Sequence, residues 1–229
     1  MLKKILLVLL LPVMAQHCLS QTEVKGKPDL KLMEQQIKDK NSPFYYPTLM
    51  DRYEKNDTSL TLEEYRYLYY GYSFQDKYSP YGKPADLDEL KKAVADNETD
   101  KVIELEKKVL AEYPFNLRDL YVIDKNLTRK GNTAEAKIYH KKLVGVGRAI
   151  MSTGDGTTDS TAMYVISVDH EYDMISLMGY KFGASQSLVR TVKGGNMDKM
   201  ALQKNDEGIE FLYFNVDRLF ASMEKLFKK

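Results

Sequence analysis

Residues 97–150 read NETDKVIELEKKVLAEYPFNLRDLYVIDKNLTRKGNTAEAKIYHKKLVGVGRAI, and this stretch decides the fold. Its apolar positions recur at helical rather than strand spacing, as in Leu120, Ile123 and Leu127. The punctuation agrees. Pro114 closes one run and Gly131 the next, and Asn132 with Glu135 three residues on is a capping pattern that opens a third. The spacing predicts helices over Asp88–Asp96, Glu98–Glu112, Asn116–Lys130 and Thr133–Ile150. Connections this short force consecutive helices to lie antiparallel.

The stretch also repeats. Asn97-Glu98-Thr99 and Gly131-Asn132-Thr133 lie 34 residues apart, with Val102 matching Ala136 and Val109 matching Leu143. Here the chain resembles the tetratricopeptide repeat. With Pro114 as that repeat's terminal proline, Leu120, Ile123 and Leu127 fall on its first helix, Gly131 at the inter-helix turn and Ala136 at the small residue of the second. Asp124 stands where the pattern has a small residue, and the first unit lacks a leading helix. A lone hairpin cannot bury its apolar face, and about three units are usually needed for stability. Two are visible, so the flanking segments must cap the stack. The resemblance implies a surface for peptides or protein segments, or a structural support.

Toward the N-terminus, helices are expected over Asp29–Lys40, Thr48–Lys55 and Leu62–Phe74, the last opened by a Thr61/Glu64 capping box. The stretch from Pro43 to Pro84 holds ten of the 17 tyrosines in a chain without tryptophan. Tyr65, Tyr69 and Tyr72 share one helical face. They are either buried rings whose hydroxyls reach partners or an aromatic platform for a sugar or peptide. Before them, Lys3 and Lys4 precede an apolar run from Ile5 to Val13 that is too short to span a bilayer. Residues 1–20 read as a signal peptide, cleaved after Ala15 or Ser20, which implies a periplasmic or secreted protein. Lipidation at Cys18 is the alternative, although Gln16 and His17 depart from the small residues that a lipobox requires.

Toward the C-terminus the period changes after residues 151–160, a Ser/Thr/Gly/Asp segment read as a linker. Beyond it, Ala162–Val168 is β-type, and His170–Met178 is a short helix capped by Asp169 and ended by Gly179. Ser185–Val192 and Met197–Gln203 flank a Gly194-Gly195 turn. Glu210–Val216 is a strand and Leu219–Phe227 a closing helix. The expected fold class is α+β: a tetratricopeptide-like helical region over 29–150, then a small antiparallel sheet with two helices over 161–229.

Composition narrows the function. With 34 Lys+Arg against 33 Asp+Glu, the net charge of +1 argues against binding nucleic acid by phosphate neutralisation. Loss of Lys3 and Lys4 with the signal leaves 32 against 33. A single cysteine excludes an internal disulfide framework and a cysteine-rich metal site. Asp169-His170-Glu171 is the one cluster with a catalytic look. His170 and Glu171 are the alternative catalytic pair, but neighbours on a helix point about 100° apart, and acids at a helix N-terminus have a plain electrostatic role. His140 reads as a surface or packing residue. Gly154–Asp159 lacks the ligand spacing of a calcium loop, and Gly145-Val146-Gly147 lacks the strand and third glycine of a dinucleotide site. No metal or cofactor is expected.

The order Asp155-Gly156-Thr157, Thr161-Ala162, Val165-Ile166-Ser167-Val168, Glu171-Tyr172, Gln186-Ser187-Leu188, Asp198 and Tyr213-Phe214-Asn215-Val216 is similar to an uncharacterised, domain-of-unknown-function family of exported Gram-negative proteins. That resemblance implies an envelope or secreted location and no activity. The resulting expectation is a noncatalytic envelope protein that binds a protein, peptide or glycan through its helical region. A hydrolase using His170, or a purely structural assembly subunit, is the alternative.

Overall fold

A computed structural model describes residues 25–191 and 195–227, with side chains through residue 223. The expected signal peptide, Cys18 and Gly194 lie outside the described residues. Helices come first: α1 (Leu30–Lys38), α2 (Tyr46–Glu54), α3 (Leu62–Tyr72), α4 (Leu87–Ala95), α5 (Thr99–Glu112), α6 (Leu117–Arg129) and α7 (Thr133–Met151). They end within a few residues of the expected bounds because the signals that set them are local. Thr61 and Glu64 form a reciprocal capping box, and Asn116 accepts hydrogen bonds from the Arg118 and Asp119 amides. Gly131 adopts φ +77° in the turn between α6 and α7, a conformation that disfavours side chains with a Cβ.

Each of α4, α5 and α6 packs on the helix that follows it, and α3 packs on α7. A small satellite core of Leu90, Ala93, Val102, Leu105 and Val109 joins α4 to α5. The principal core runs unbroken from Met33 on α1 through α3, α6 and α7 to the C-terminal part. Its axis is α3, buried on all sides from Tyr65 to Tyr72.

The C-terminal part holds β1 (Met163–Tyr164), α8 (Asp169–Leu177), β2 (Phe182–Arg190), β3 (Asn196–Leu202), β4 (Phe211–Asn215) and α9 (Asp217–Phe227). The strand order is β1-β4-β3-β2. β2/β3 and β3/β4 are antiparallel, but β1 runs parallel to β4, so the sheet is mixed rather than wholly antiparallel. The expected strand over Ala162–Val168 shrinks to two residues because tyrosines of α3 and of the segment after it take its backbone groups. The Tyr70 hydroxyl donates to Tyr164 O at 3.0 Å, the Tyr78 hydroxyl donates to Ile166 O at 2.6 Å, and Ile166 N–H donates to the Tyr69 hydroxyl at 3.2 Å. Asp169 is not the cap of α8. It lies in the first turn, and Val168 holds the cap position without a side-chain hydrogen bond.

Residues 151–160 are laced to both neighbours. Thr153 Oγ1 accepts from Tyr164 N–H, and Tyr213 N–H donates to Gly156 O. A Cβ on Gly154 would lie 2.0 Å from Thr161 O, so this segment threads against the backbone that follows it.

Candidate functional site

The tyrosines expected either as buried rings or as an aromatic platform are inside. Tyr65, Tyr69 and Tyr72 are 4%, 0% and 5% exposed, which fits the reading as buried rings and not the exposed platform. The cause is the position of α3, which is surrounded by helices and by the β1 segment. A ring fills that volume while its hydroxyl satisfies a distant carbonyl, as Tyr53 does with Pro114 O and Tyr72 with Glu112 O.

Two of these residues nevertheless help to build a site. Tyr69 lies 2.8 Å from His170 Nδ1, and Tyr72 and His170 line a cleft of about 40 Å³ with Tyr78, Asn116, Ser167 and Asp169. Burial holds His170 neutral, with its pKa lowered to about 3. With the Ile166 N–H given to the Tyr69 oxygen, the pairing that also satisfies the Tyr69 proton has the hydroxyl donate to Nδ1. The imidazole proton then sits on Nε2, so the free edge of the ring is a donor and not a base.

Glu171 takes no part in that cleft. It is fully buried, and neither of its oxygens meets a donor. Burial and then the neighbouring Asp198 raise its pKa to about 9. The bond open to it requires that Glu171 carry the proton and donate it to Asp198. Asp198 also accepts from Gln186 Nε2 at 2.7 Å, and Gln186 accepts from the Tyr172 hydroxyl at 2.6 Å. The adjacent residues His170 and Glu171 therefore serve different sides of α8, about 100° apart.

A second acidic group joins α8 to α6. Arg118 Nε and Nη2 both donate to Asp173 Oδ1, at 3.2 and 3.0 Å, while Asp173 Oδ2 is buried without a donor. Beside it Asp119 is raised to about 7, by burial first and then by Asp173. Glu106 on α5 is raised to about 9 by burial and by Asp119. Among the described residues no group of three or more His, Cys, Asp or Glu side chains could hold a metal ion. No described helix is long and apolar enough to cross a membrane.

A wide concavity lies between α6, α7 and α8. One lobe of about 410 Å³ is lined by Leu117, Arg118, Tyr121, Tyr172 and Leu177. The adjoining lobe, about 350 Å³, shares Tyr121 and Leu177 and adds Val144, Met151, Met174 and Met178. Tyr121, Val144, Met151 and Leu177 are 40–50% exposed. Three helices thus present large apolar side chains to solvent around one groove, with Leu143 and Met174 buried in its floor. Asp124 and His140 meet at 3.2 Å on the rim. Sequence reasoning missed this groove, although a signal existed. Val144, Gly147 and Met151 make a second stripe on α7, beside the core stripe of Leu143, Val146 and Ile150.

A family model described as "Domain of unknown function (DUF4919)" matches residues 31–225. No curated protein and no solved structure matches the chain.

Proposed function

We propose a noncatalytic binding role for this chain, which belongs to the family described as domain of unknown function DUF4919. In this reading it is exported to the envelope on the signal of residues 1–20, and its tetratricopeptide-like helical region holds a segment of another protein. The single observation that carries the reading is the exposure of Tyr121, Val144, Met151 and Leu177 around one groove. Large apolar residues scattered singly over a surface need no explanation, whereas several converging on a concavity mark interaction sites. The methionines add adaptability, since an unbranched thioether repacks around different partners.

Hydrolysis at His170 is less well supported. The cleft, about 40 Å³, has room for only a few water molecules. The ring offers it a donor, and Glu171 faces Asp198 on a different side of the helix.

Site-specific photocrosslinking in cells tests the binding reading. A crosslinker replacing Met151 or Val144 is expected to capture a discrete partner that one replacing Lys91, on the distant α4, does not. Equal, diffuse labelling at all three positions would overturn it.

A further inference from the structure

The groove's walls carry a charge asymmetry that the chain as a whole lacks. On α6 and α7 the exposed cations are Arg118, Lys125, Arg129, Lys137, Lys141 and Arg148. The acids of the same two helices are withdrawn. Asp119 and Asp124 are buried, and half-buried Glu135 is taken by Lys107 at 2.5 Å. Of these cations Arg118, Lys125 and Arg148 line the groove; Arg118 is paired with Asp173, and the two acids of the lining, Asp124 and Asp173, are buried, so every exposed charged residue on the lining is basic. Lys125 lies over the Tyr121 ring at 5.2 Å, so one cation stands directly at the groove's edge. Lys137 continues toward the α7 N-terminus at i−7 from Val144, whereas Lys141 lines a separate cavity beside Tyr53 of α2.

Resting on the binding role above, we infer that the occupant is an acidic amphipathic segment of a partner protein, its apolar side chains seated between α7 and α8 and its carboxylates facing the basic rim. The floor supplies contact area with few hydrogen-bond partners, which suits a row of apolar anchors more than a bare polar strand. Val144 to Met151 spans two turns of α7, roughly 10 Å, a length that a helix with anchors at i, i+3/i+4 and i+7 matches. The rim fixes the sign of the partner, because like charge would be held against it at close range and opposite charge speeds encounter and sets register.

Two synthetic peptides of about 14 residues test this, sharing one leucine stripe at i, i+3, i+4 and i+7. The remaining positions are Glu and Gln in one and Lys and Gln in the other. Fluorescence anisotropy with the purified protein at about 0.15 M salt is expected to show the Glu peptide binding at least tenfold tighter, about 1.4 kcal/mol. Met151→Asp should abolish that binding, and Lys125→Glu with Lys137→Glu should bring the two peptides toward parity. All three substituted residues are exposed, so circular dichroism and melting should be unchanged. Equal or stronger binding of the Lys peptide, survival of Glu-peptide binding in Met151→Asp, or no Glu-peptide binding up to about 1 mM would overturn the inference. So would sedimentation with phosphatidylglycerol vesicles, lost in Met151→Asp, in place of peptide binding. Preference for the Lys peptide that is still lost in Met151→Asp would reject the acidic partner while leaving the groove as the binding site. Insensitivity of both peptides to Met151→Asp would count against the groove itself.

Discussion

The Tyr69 hydroxyl lies 2.8 Å from His170 Nδ1 and accepts the Ile166 amide proton at 3.2 Å, joining residues 101 positions apart across the helical and C-terminal halves. Both side chains are buried, and both are held neutral by burial. The contact is a neutral bond between α3 and α8, made where the β1 segment gives up its strand.

His170 should therefore stay uncharged across the physiological range. With a native pKa near 3 against the ordinary 6.5, the unfolded chain binds a proton below pH 6.5 that the native chain refuses. This contribution to stability is complete above pH 6.5 and lost as pH falls from there toward 3. Heteronuclear NMR of the imidazole is expected to show the Nε2–H tautomer without titration between pH 5 and 8. An Nδ1–H tautomer, or a midpoint near 6.5, would refute it.

Glu171 works in the opposite sense. Its native pKa near 9 lies above the ordinary 4.5, so the native state holds a proton that the unfolded state has released. Stability from this group declines as pH rises through that window. Glu171→Gln keeps a donor toward Asp198 and removes the titration. The variant should melt higher than the parent at pH 8, by about 2–4 °C per kcal/mol recovered, with the gap closing at pH 5. Glu106 and Asp119 shift in the same direction, so the variant will retain part of the slope.

Arg118 supplies the donors that Asp173 has. Arg118→Ala leaves that carboxyl group buried without them, at a cost of about 1–3 kcal/mol. Burial already raises Asp173, so the loss should be larger at pH 8 than at pH 5, where protonation is open to it. Asp173→Asn in the Arg118→Ala background should recover part of the loss in chemical denaturation, and no recovery would refute the assignment.

Two glycines on α7 should behave differently. A Cβ on Gly145 would fall 2.3 Å from the Tyr65 ring, where α3 and α7 approach, while nothing lies within 4 Å of one on Gly147. Gly145→Ala should destabilise by about 1–3 kcal/mol through overpacking. Gly147→Ala should stabilise by up to about 1 kcal/mol through helix propensity. Urea midpoints separate the two, and equal effects would contradict the packing described.

The order and bounds of α1 to α7, the capping box at Thr61 and the turn at Gly131 were legible in the residues because each depends on interactions within about four positions. So were β3, β4 and the helix ended by Gly179. The truncation of β1, its parallel pairing with β4 and the separation of His170 from Glu171 were not. They follow from which hydroxyls and carboxyls arrive from α3 and β3, and contacts over such sequence distances leave no local period. The tyrosines show the division most plainly. Helical spacing placed Tyr65, Tyr69 and Tyr72 on one face, but whether that face met solvent or protein depended on the elements packed around α3. The groove is the converse case. Val144 and Met151 carry the same apolar chemistry as their buried neighbours on α7, and only the place where α8 stops left them in water. The sequence by itself set the local helices, because propensity and capping act at short range. The tertiary structure chose which apolar faces were used up in the core and which remained for a partner, because burial depends on the assembled whole.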